Sequence, residues 1–320
     1  MSGNAGAPTR EQAWREASAR IARLDARLLL EHVCGISHTE LRVRPETPLT
    51  ADEAATYATL VARRAAGEPL AYLTRHAHFR GLNLAVTPDV LIPRDDTEVL
   101  VDRALQAIAA RKQGRTPLSE GGSPNPAPVL DLRAAPAAEL PTLPLQVLDL
   151  GTGSGAIALA LAREASPGVA VTAVDRSPAA LAVAEGNARR LGLAVRFVAS
   201  DWFSALPGER FHVIASNPPY VAEGDPHLDG DGLPFEPRGA LTDGVTGGDG
   251  GACLRAIIAA APAHLHPGGW LLLEHGYDQG PLCRQLLSAA GFGEVATWPD
   301  LAGLDRVSGG RWPSAGATQN

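Results

Sequence analysis

The stretch Asn217-Pro218-Pro219-Tyr220 combines residue types that could hold a planar amino group. It follows FHVIAS at 211–216, an apolar run that predicts a buried strand. Proline has no N–H for a sheet ladder, so the two prolines must end this strand. The Asn217 carboxamide oxygen and the Pro218 carbonyl oxygen could accept both hydrogens of an –NH2 group, and Tyr220 offers a ring face for stacking. By themselves the four residues are equally typical of an ordinary turn.

A glycine-rich turn provides the second chemical signal. VLDLGTGSGAIALALA at 147–162 reads as a strand, a turn and a helix, and its small residues let a ligand approach the backbone and the helix N-terminus. The candidate cofactor-binding residues here are Gly151, Thr152, Gly153, Ser154 and Gly155. The same spacing satisfies the loose dinucleotide fingerprint, which is weak on its own.

Asp149 helps to choose between the two kinds of ligand. Its carboxylate, two residues before the first glycine, would repel a pyrophosphate but suits a ligand that carries an ammonium group. S-adenosyl-L-methionine has that ammonium and no phosphate. Asp175 ends the next predicted strand, where its oxygens could accept hydrogen bonds from both ribose hydroxyls of either ligand. Trp202, after the third strand, could cover an adenine; the alternative is a tryptophan of the core.

Placed beside such a cofactor, Asn217 to Tyr220 predict methyl transfer to nitrogen. An amide or nucleobase –NH2 is a poor nucleophile because its lone pair is conjugated, and holding both hydrogens would orient that nitrogen toward the methyl carbon. The sulfonium already activates the methyl group, so positioning and electrostatics could supply most of the rate. Asn217 cannot act as a general base, so the proton is expected to leave after transfer.

The elements around these residues predict an α/β fold with a parallel, doubly wound sheet that binds its ligand at the carboxyl ends of the strands. Ser177-Pro178 predicts a helix start and Gly192 its end. The predicted strands are LQVLDL at 145–150, VAVTAVD at 169–175, AVRFVAS at 194–200, FHVIAS at 211–216 and GGWLLLEH at 268–275, with two weaker ones at 294–298 and 305–310.

The first part of the chain predicts a small helical domain. Helical spacing runs through residues 10–34 to a stop at Gly35, and a second helix begins with a capping box at Thr50 and ends at Gly67. A hairpin is predicted at 78–86, and a helix follows with Asp95 or Asp96 as its cap. The predicted division is a helical domain at 1–75, a hairpin and connecting helix at 76–111, a flexible linker at 112–144, a catalytic domain at 145–312 and a tail at 313–320.

Composition limits the function classes. A net charge of -7 argues against a surface that holds nucleic acid mainly by neutralising phosphates. The three cysteines are far apart and form no C-x-x-C pair, and the histidines lack ligand partners, so no metal is expected. Without an apolar targeting segment or membrane span, we expect a soluble cytoplasmic protein.

The chain resembles the release factor glutamine methyltransferases over most of residues 10–312 apart from the linker. The similar motifs are GEPLAYLT at 67–74, LIPRDDTE at 91–98, VLDLGTGSGAIALALA, AVD at 173–175, SDWFSAL at 200–206, SNPPYV, DPHL at 225–228, FEPRGAL at 235–241 and LLLEHGYDQG at 271–280. The resemblance departs at Asp95, where the family usually has a proline, and at the linker, which is longer than expected.

This resemblance implies a class I S-adenosyl-L-methionine-dependent methyltransferase with a small helical N-terminal domain. Residues Gly151 to Gly155, Asp175, Trp202 and Asn217 would hold the cofactor, which leaves as S-adenosyl-L-homocysteine. Asn217, Pro218, Pro219 and Tyr220 would be catalytic and hold the glutamine of the Gly-Gly-Gln motif in class 1 peptide chain release factors. The helical domain would help to recognise that partner, with the enzyme a monomer that binds no membrane and no stable nucleic acid.

Three alternatives remain at this point. Asn-Pro-Pro-Tyr is shared with adenine-N6 methyltransferases, although the acidic charge and the lack of a basic target-recognition domain count against DNA. A nicotinamide-dependent dehydrogenase could use the same glycine turn, but Asp149 and the lack of a catalytic Lys, Tyr or His at the fourth strand make it a weaker hypothesis. A binding module that has lost catalysis is the third.

Overall fold

The computed structural model describes residues 7–114, 143–230 and 232–314. Two compact units account for the chain. The helical unit comprises Met1–Ala77, Val86–Pro88 and Pro226–Glu236, and the sheet unit comprises His78–Ala85, Asp89–Asp225 and Pro237–Asn320. Most of the predicted linker at 112–144 and of the predicted tail at 313–320 lies outside the described residues, and the predicted domain boundaries stay predictions.

Short amphipathic helices pack around a leucine-rich core in the helical unit. Leu29, Leu30 and Leu41 are almost completely buried there. The helices are α1 Arg10–Ala17, α2 Arg23–Cys34, α3 His38–Val43, α4 Ala51–Ala65 and α5 Leu70–Thr74.

Local capping signals explain where these helices begin and end. The Thr50 capping box is confirmed, because Thr50 Oγ1 accepts from the Glu53 backbone N–H and Glu53 Oε2 accepts from that of Thr50. Gly35 ends α2 in the left-handed conformation, also as predicted. The prediction of one helical segment through residues 10–34 is wrong. The Ser18 hydroxyl donates to the Trp14 carbonyl at 2.7 Å, and the chain turns before α2 begins.

Strands and helices alternate along the sheet unit. The strands are β1 His76–Phe79, β2 Leu82–Ala85, β3 Leu145–Leu150, β4 Val169–Asp175, β5 Arg196–Ala199, β6 Phe211–Ser216, β7 Val221–Glu223, β8 Thr242–Thr246, β9 Leu265–Glu274, β10 Gly293–Pro299 and β11 Asp305–Arg311. The helices are α6 Glu98–Lys112, α7 Ala156–Glu164, α8 Pro178–Leu191, α9 Arg238–Leu241, α10 Ala252–Ala260 and α11 Gly280–Ala289.

One sheet within the described residues has the order β10-β11-β9-β6-β3-β4-β5. Strands β9, β6, β3, β4 and β5 are parallel, whereas β11 runs antiparallel to β9 and β10 antiparallel to β11. The strand order reverses between β3 and β6, which is where doubly wound sheets bind their ligands. Leu150 pairs with Ser216 there. Gly151 and Asn217 therefore leave neighbouring strands at the same edge.

Helices on both faces bury the central strands. Val147 and Ala215 belong to one core cluster, while Leu148 and Ile214 belong to the other, because successive residues of a strand point to opposite faces. The predicted strands and the helix from Ser177-Pro178 to Gly192 are confirmed.

The start of α6 differs from its prediction. Asp95 and Asp96 form a 3-10 turn with Thr97, and neither Asp side chain caps the helix. Asp96 instead lies 3.4 Å from Arg306, so an ion pair replaces the expected cap.

Candidate active site

A cavity of about 600 Å³ opens at the carboxyl edge of the sheet unit. Its wall comes from the β3–α7 turn, the ends of β4, β5 and β6, and the segments 89–97 and 237–244. The predicted residues that line it are Gly151, Thr152, Gly153, Ser154, Asp175, Trp202, Asn217 and Pro219. Gly155, Pro218 and Tyr220 are not among the lining residues.

The turn after β3 has a backbone that favours glycine. Gly151 and Gly153 have φ angles of 73° and 54°, in the left-handed region that glycine enters without a side-chain clash. The Gly151 and Thr152 N–H groups both donate to the Val174 carbonyl at 2.9 Å, which ties the turn to β4. Gly155 is the N-cap of α7 and packs closely against the helix: a Cβ placed on it would lie 3.0 Å from Leu159 Cδ1.

The Asp149 side chain stabilises this turn through hydrogen bonds. Its Oδ2 accepts from the Thr152 hydroxyl at 2.7 Å and from the Ala158 N–H at 3.2 Å. The side chain is completely buried and does not line the cavity, so the structure shows a supporting role instead of the predicted ammonium contact. Burial raises its pKa to about 7. Its Oδ1 has no hydrogen-bond partner within the described part of the chain.

Asp175 and Trp202 line the cavity beside the glycine turn. The two Asp175 oxygens accept from the N–H groups of Gly153 and Ser177, each at 2.9 Å, and a carboxylate has further lone pairs for ligand hydroxyls. Trp202 has a positive φ of 48°. The Ser200 hydroxyl donates a hydrogen bond to the Trp202 carbonyl at 2.8 Å and so helps to hold this backbone conformation. The indole packs partly against the core and also lines the cavity, and its contact with an adenine stays a prediction.

Asn217 is held through its side-chain nitrogen. Nδ2 donates to the Thr97 hydroxyl oxygen at 3.2 Å, which leaves the carboxamide oxygen for a ligand in the cavity. Pro219 lines the cavity next to it. The hydroxyl of Tyr220 donates to Glu274 Oε1 at 3.3 Å, and this bond anchors the tyrosine ring by its far end.

Glu274 is a buried acid that the sequence did not single out by its chemistry. Only 1% of it is exposed, and burial raises its pKa to about 7. The hydroxyl of Tyr220 donates to its Oε1, its Oε2 has no hydrogen-bond partner within the described residues, and the charge of Arg306 favours its ionised form. The sequence did offer one signal for Glu274, namely its position in LLLEHG. A carboxylate is unexpected at the end of a buried strand unless it has a function there.

A second set of cavity residues was also missed. Pro237, the last residue of FEP, lines the cavity together with the residues up to Ala240 and with Thr242 to Gly244. Glu223 holds this segment, because its Oε1 accepts from Arg238 Nε at 3.0 Å and its Oε2 from the Thr242 hydroxyl at 2.7 Å. The motif FEPRGAL was noted in the sequence, but strand spacing alone does not place it beside β4 and β6.

Residues 7–114, 143–230 and 232–314 contain neither a metal-binding cluster nor a membrane-spanning helix. No cluster of three or more His, Cys, Asp or Glu side chains there could hold a metal ion. None of the helices formed by these residues combines the length and the apolar character needed to cross a bilayer.

A doubly wound sheet, a glycine turn after β3, a carboxylate at the end of β4 and Asn-Pro-Pro-Tyr after β6 together define a class I methyltransferase. Two family models agree: "PrmC N-terminal domain" matches residues 11–74 and "Methyltransferase small domain" matches residues 137–229.

Sequence relatives identify the particular family. The release factor glutamine methyltransferase of Burkholderia pseudomallei is 50% identical over 91% of this chain and 92% of its own, and that of Bordetella pertussis is 48% identical over 91% and 95%. A solved methyltransferase from Pyrococcus furiosus has 17% identity and a TM-score of 0.47 over 81% of this chain and all of its own. This chain belongs to the release factor glutamine methyltransferase family.

Proposed function

We propose that this protein transfers a methyl group from S-adenosyl-L-methionine to the side-chain amide nitrogen of glutamine in the Gly-Gly-Gln motif of class 1 peptide chain release factors. The observation that carries the proposal is the orientation of Asn217: its nitrogen is engaged by Thr97, so its oxygen is the atom left for a substrate –NH2. The names of the sequence relatives support the same substrate.

The cavity suits the proposed cofactor. Asp175 retains lone pairs for two ribose hydroxyls, the Trp202 ring offers a flat apolar face for an adenine, and the turn from Gly151 to Ser154 permits close approach to the backbone. When bound, S-adenosyl-L-methionine supplies an electrophilic methyl group on its sulfonium.

The chain's own residues would then position the amide. Asn217 Oδ1 and the Pro218 carbonyl oxygen accept the two amide hydrogens, which holds the nitrogen in place and favours lone-pair density on it. The sulfur–methyl bond breaks as the nitrogen–methyl bond forms, and the nitrogen then loses one proton to water. An Asn carboxamide takes no proton at neutral pH, so Asn217 and Pro218 act by orientation and electrostatics.

Recognition of the protein substrate is assigned to the helical domain predicted at residues 1–75. The match of the family model to residues 11–74 supports this assignment. We further propose that Pro219 and Tyr220 contribute to the glutamine site, that the product is S-adenosyl-L-homocysteine, and that the enzyme acts as a monomer in the cytoplasm.

The deciding experiment supplies methyl-labelled S-adenosyl-L-methionine with one of three acceptors: a release factor, the same factor with its motif glutamine replaced, or adenine-containing DNA. We expect label in the intact factor alone. Label in DNA but not in the factor would support the adenine alternative instead, and label in the glutamine-replaced factor would show that the target residue is wrong.

A further inference from the structure

We propose that Gln279 is a positioning residue for methyl transfer, because its buried carboxamide fixes the backbone that carries the Pro218 carbonyl. It holds two segments of the sheet unit together, one at the Tyr220 carbonyl and the other at the Asp249 carbonyl. The Gln279 carboxamide and these two carbonyls are called the Gln279 clamp. The inference rests on the proposed function, since the Pro218 carbonyl oxygen would accept a hydrogen of the glutamine amide.

Both polar atoms of the Gln279 carboxamide have partners. Nε2 donates to the carbonyl oxygens of Tyr220 and Asp249, each at 3.0 Å, and Oε1 accepts from the Gly276 N–H at 2.9 Å. The Gln279 backbone N–H in turn donates to the Gly276 carbonyl at 2.9 Å, so backbone and side chain both fix the turn before α11. Gln279 is 9% exposed, and water therefore competes little for these bonds.

The two ends of this carboxamide are not interchangeable. A carbonyl oxygen can only accept and a backbone N–H can only donate, so the side-chain nitrogen must face Tyr220 and Asp249. Its oxygen must face Gly276 for the same reason. A carboxylate of the same shape could still accept from Gly276 but could donate to neither carbonyl. These three backbone groups therefore select an amide over an acid at position 279.

The clamp acts where sheet hydrogen bonds are lost. Pro218 and Pro219 have no N–H, so neither residue can donate to a ladder after β6. Ser216, just before this stretch, pairs with both neighbouring strands, and the Tyr220 carbonyl at its far end is bonded to Gln279. Because the proline rings also fix φ, holding both ends leaves the Pro218 carbonyl little freedom of direction.

The second carbonyl of the clamp belongs to the segment that follows β8. Thr242 to Gly244, at the start of β8, line the cavity, and the same segment reaches the Tyr220 backbone at Gly250. A Cβ placed on Gly250 would clash with the Tyr220 carbonyl oxygen and would lie 2.9 Å from the Ala222 nitrogen. The clamp therefore ties a cavity-lining segment to Asn-Pro-Pro-Tyr.

One motif supplies both contacts to Tyr220. Its hydroxyl donates to Glu274 Oε1 at 3.3 Å, and its carbonyl accepts from Gln279 Nε2 at 3.0 Å. Glu274 and Gln279 both lie in LLLEHGYDQG at 271–280, between the end of β9 and the start of α11. Neither of them lines the cavity, so this motif acts on the site through Tyr220.

The first test compares Gln279→Glu with Gln146→Glu. Gln279→Glu keeps the acceptor for Gly276 but loses the donors to the two carbonyls. Gln146 is the matched control, because its Nε2 also donates to a backbone carbonyl, that of Pro144 at 3.1 Å, but it begins β3 and does not line the cavity. With a release factor as acceptor, we expect kcat to fall about 10- to 100-fold for Gln279→Glu and to stay within about twofold for the control. The Kd for S-adenosyl-L-methionine should change by less than about threefold in both.

Gly250→Ala tests the same contact without a change to Gln279. Its methyl group would displace the Tyr220 backbone, so kcat should fall by about tenfold or more while the Kd for S-adenosyl-L-methionine changes little. Gly247→Ala is the matched control: Gly247 has the same φ of 71°, but a Cβ there meets nothing within 4 Å in the described part of the chain. Gly247→Ala therefore reports the effect of backbone strain alone.

Melting curves identify a temperature at which the variants are folded, and the kinetics are measured there. If Gln279→Glu does not fold, the comparison of Gly250→Ala with Gly247→Ala decides the question. The clamp is overturned if a folded Gln279→Glu or Gly250→Ala keeps the kcat of its control, or if cofactor binding falls as far as kcat, since general loss of structure would affect both. An unsubstituted enzyme that fails to methylate the release factor overturns the proposed function itself.

Discussion

Asn217 and Thr97 are 120 residues apart in the chain, yet the side-chain nitrogen of Asn217 donates to the Thr97 hydroxyl oxygen across 3.2 Å. The sequence indicates only that the Asn217 side chain could accept a hydrogen bond. The bond to Thr97 gives its carboxamide a defined orientation.

Replacement of Asn217 by alanine should remove methyl transfer while leaving most cofactor binding. The loss of an oriented acceptor is expected to lower kcat by about 100-fold or more. The Kd for S-adenosyl-L-methionine, measured by calorimetry, should rise by less than about tenfold. Retained turnover in Asn217→Ala would remove this residue from the proposed mechanism.

Replacement of Asp175 by alanine should weaken the binding of S-adenosyl-L-methionine. The variant loses the proposed ribose contacts and the acceptors of two backbone N–H groups, so the Kd for S-adenosyl-L-methionine should rise by about 10- to 100-fold. Arg189→Ala, on the exposed side of α8, is the control and should bind as the unsubstituted protein does. An unchanged Kd in Asp175→Ala would place the nucleoside elsewhere.

Stability should depend on pH through Glu274. Its pKa is raised from 4.5 to about 7 in the folded protein, so the folded state binds more protons than the unfolded state between these values. The contribution of Glu274 to the free energy of unfolding is therefore full below pH 4.5 and is lost as the pH rises to about 7, a change of roughly 3 kcal/mol at about 1.4 kcal/mol per pKa unit.

Urea unfolding at a series of pH values measures this contribution. Glu274→Gln cannot ionise, so its free energy of unfolding should decline less over the same range. The pKa of Asp149 is also raised to about 7. Asp149 should therefore make the same contribution to the pH dependence of the free energy of unfolding in both proteins. Identical slopes with and without the substitution would argue that Glu274 keeps an ordinary pKa.

Gly155 should be intolerant of a side chain for reasons of packing. Its φ is 87°, and a Cβ would lie 3.0 Å from Leu159 Cδ1 and 3.2 Å from Ala184 Cβ. Gly155→Ala is therefore expected to lower the free energy of unfolding by about 1–3 kcal/mol more than Gly192→Ala, whose Cβ meets nothing within 4 Å at a similarly positive φ of 66°. Equal losses in the two variants would show that only backbone strain matters at Gly155.

Much of the fold was predictable because its signals are local. The buried strands are continuous apolar runs, and the glycines between β3 and α7 indicate a tight turn from a strand into a helix. The cap predicted at Asp95 or Asp96 was wrong for the opposite reason. Arg306, more than 200 residues later in the chain, pairs with Asp96, and no local pattern reveals that partner.

The sequence by itself determined the end of β6, the end of α2 and the start of α4, because a missing N–H at Pro218, a positive φ at Gly35 and a capping box at Thr50 act on neighbouring backbone. It also identified the residues that line one side of the cavity. Only the tertiary structure decided which way Asn217 faces and that Glu274 stands behind it. Those relationships depend on the register of β6 against β9 and on the 3-10 turn at Thr97, and hydrogen bonds between distant segments exist only after these elements pack together.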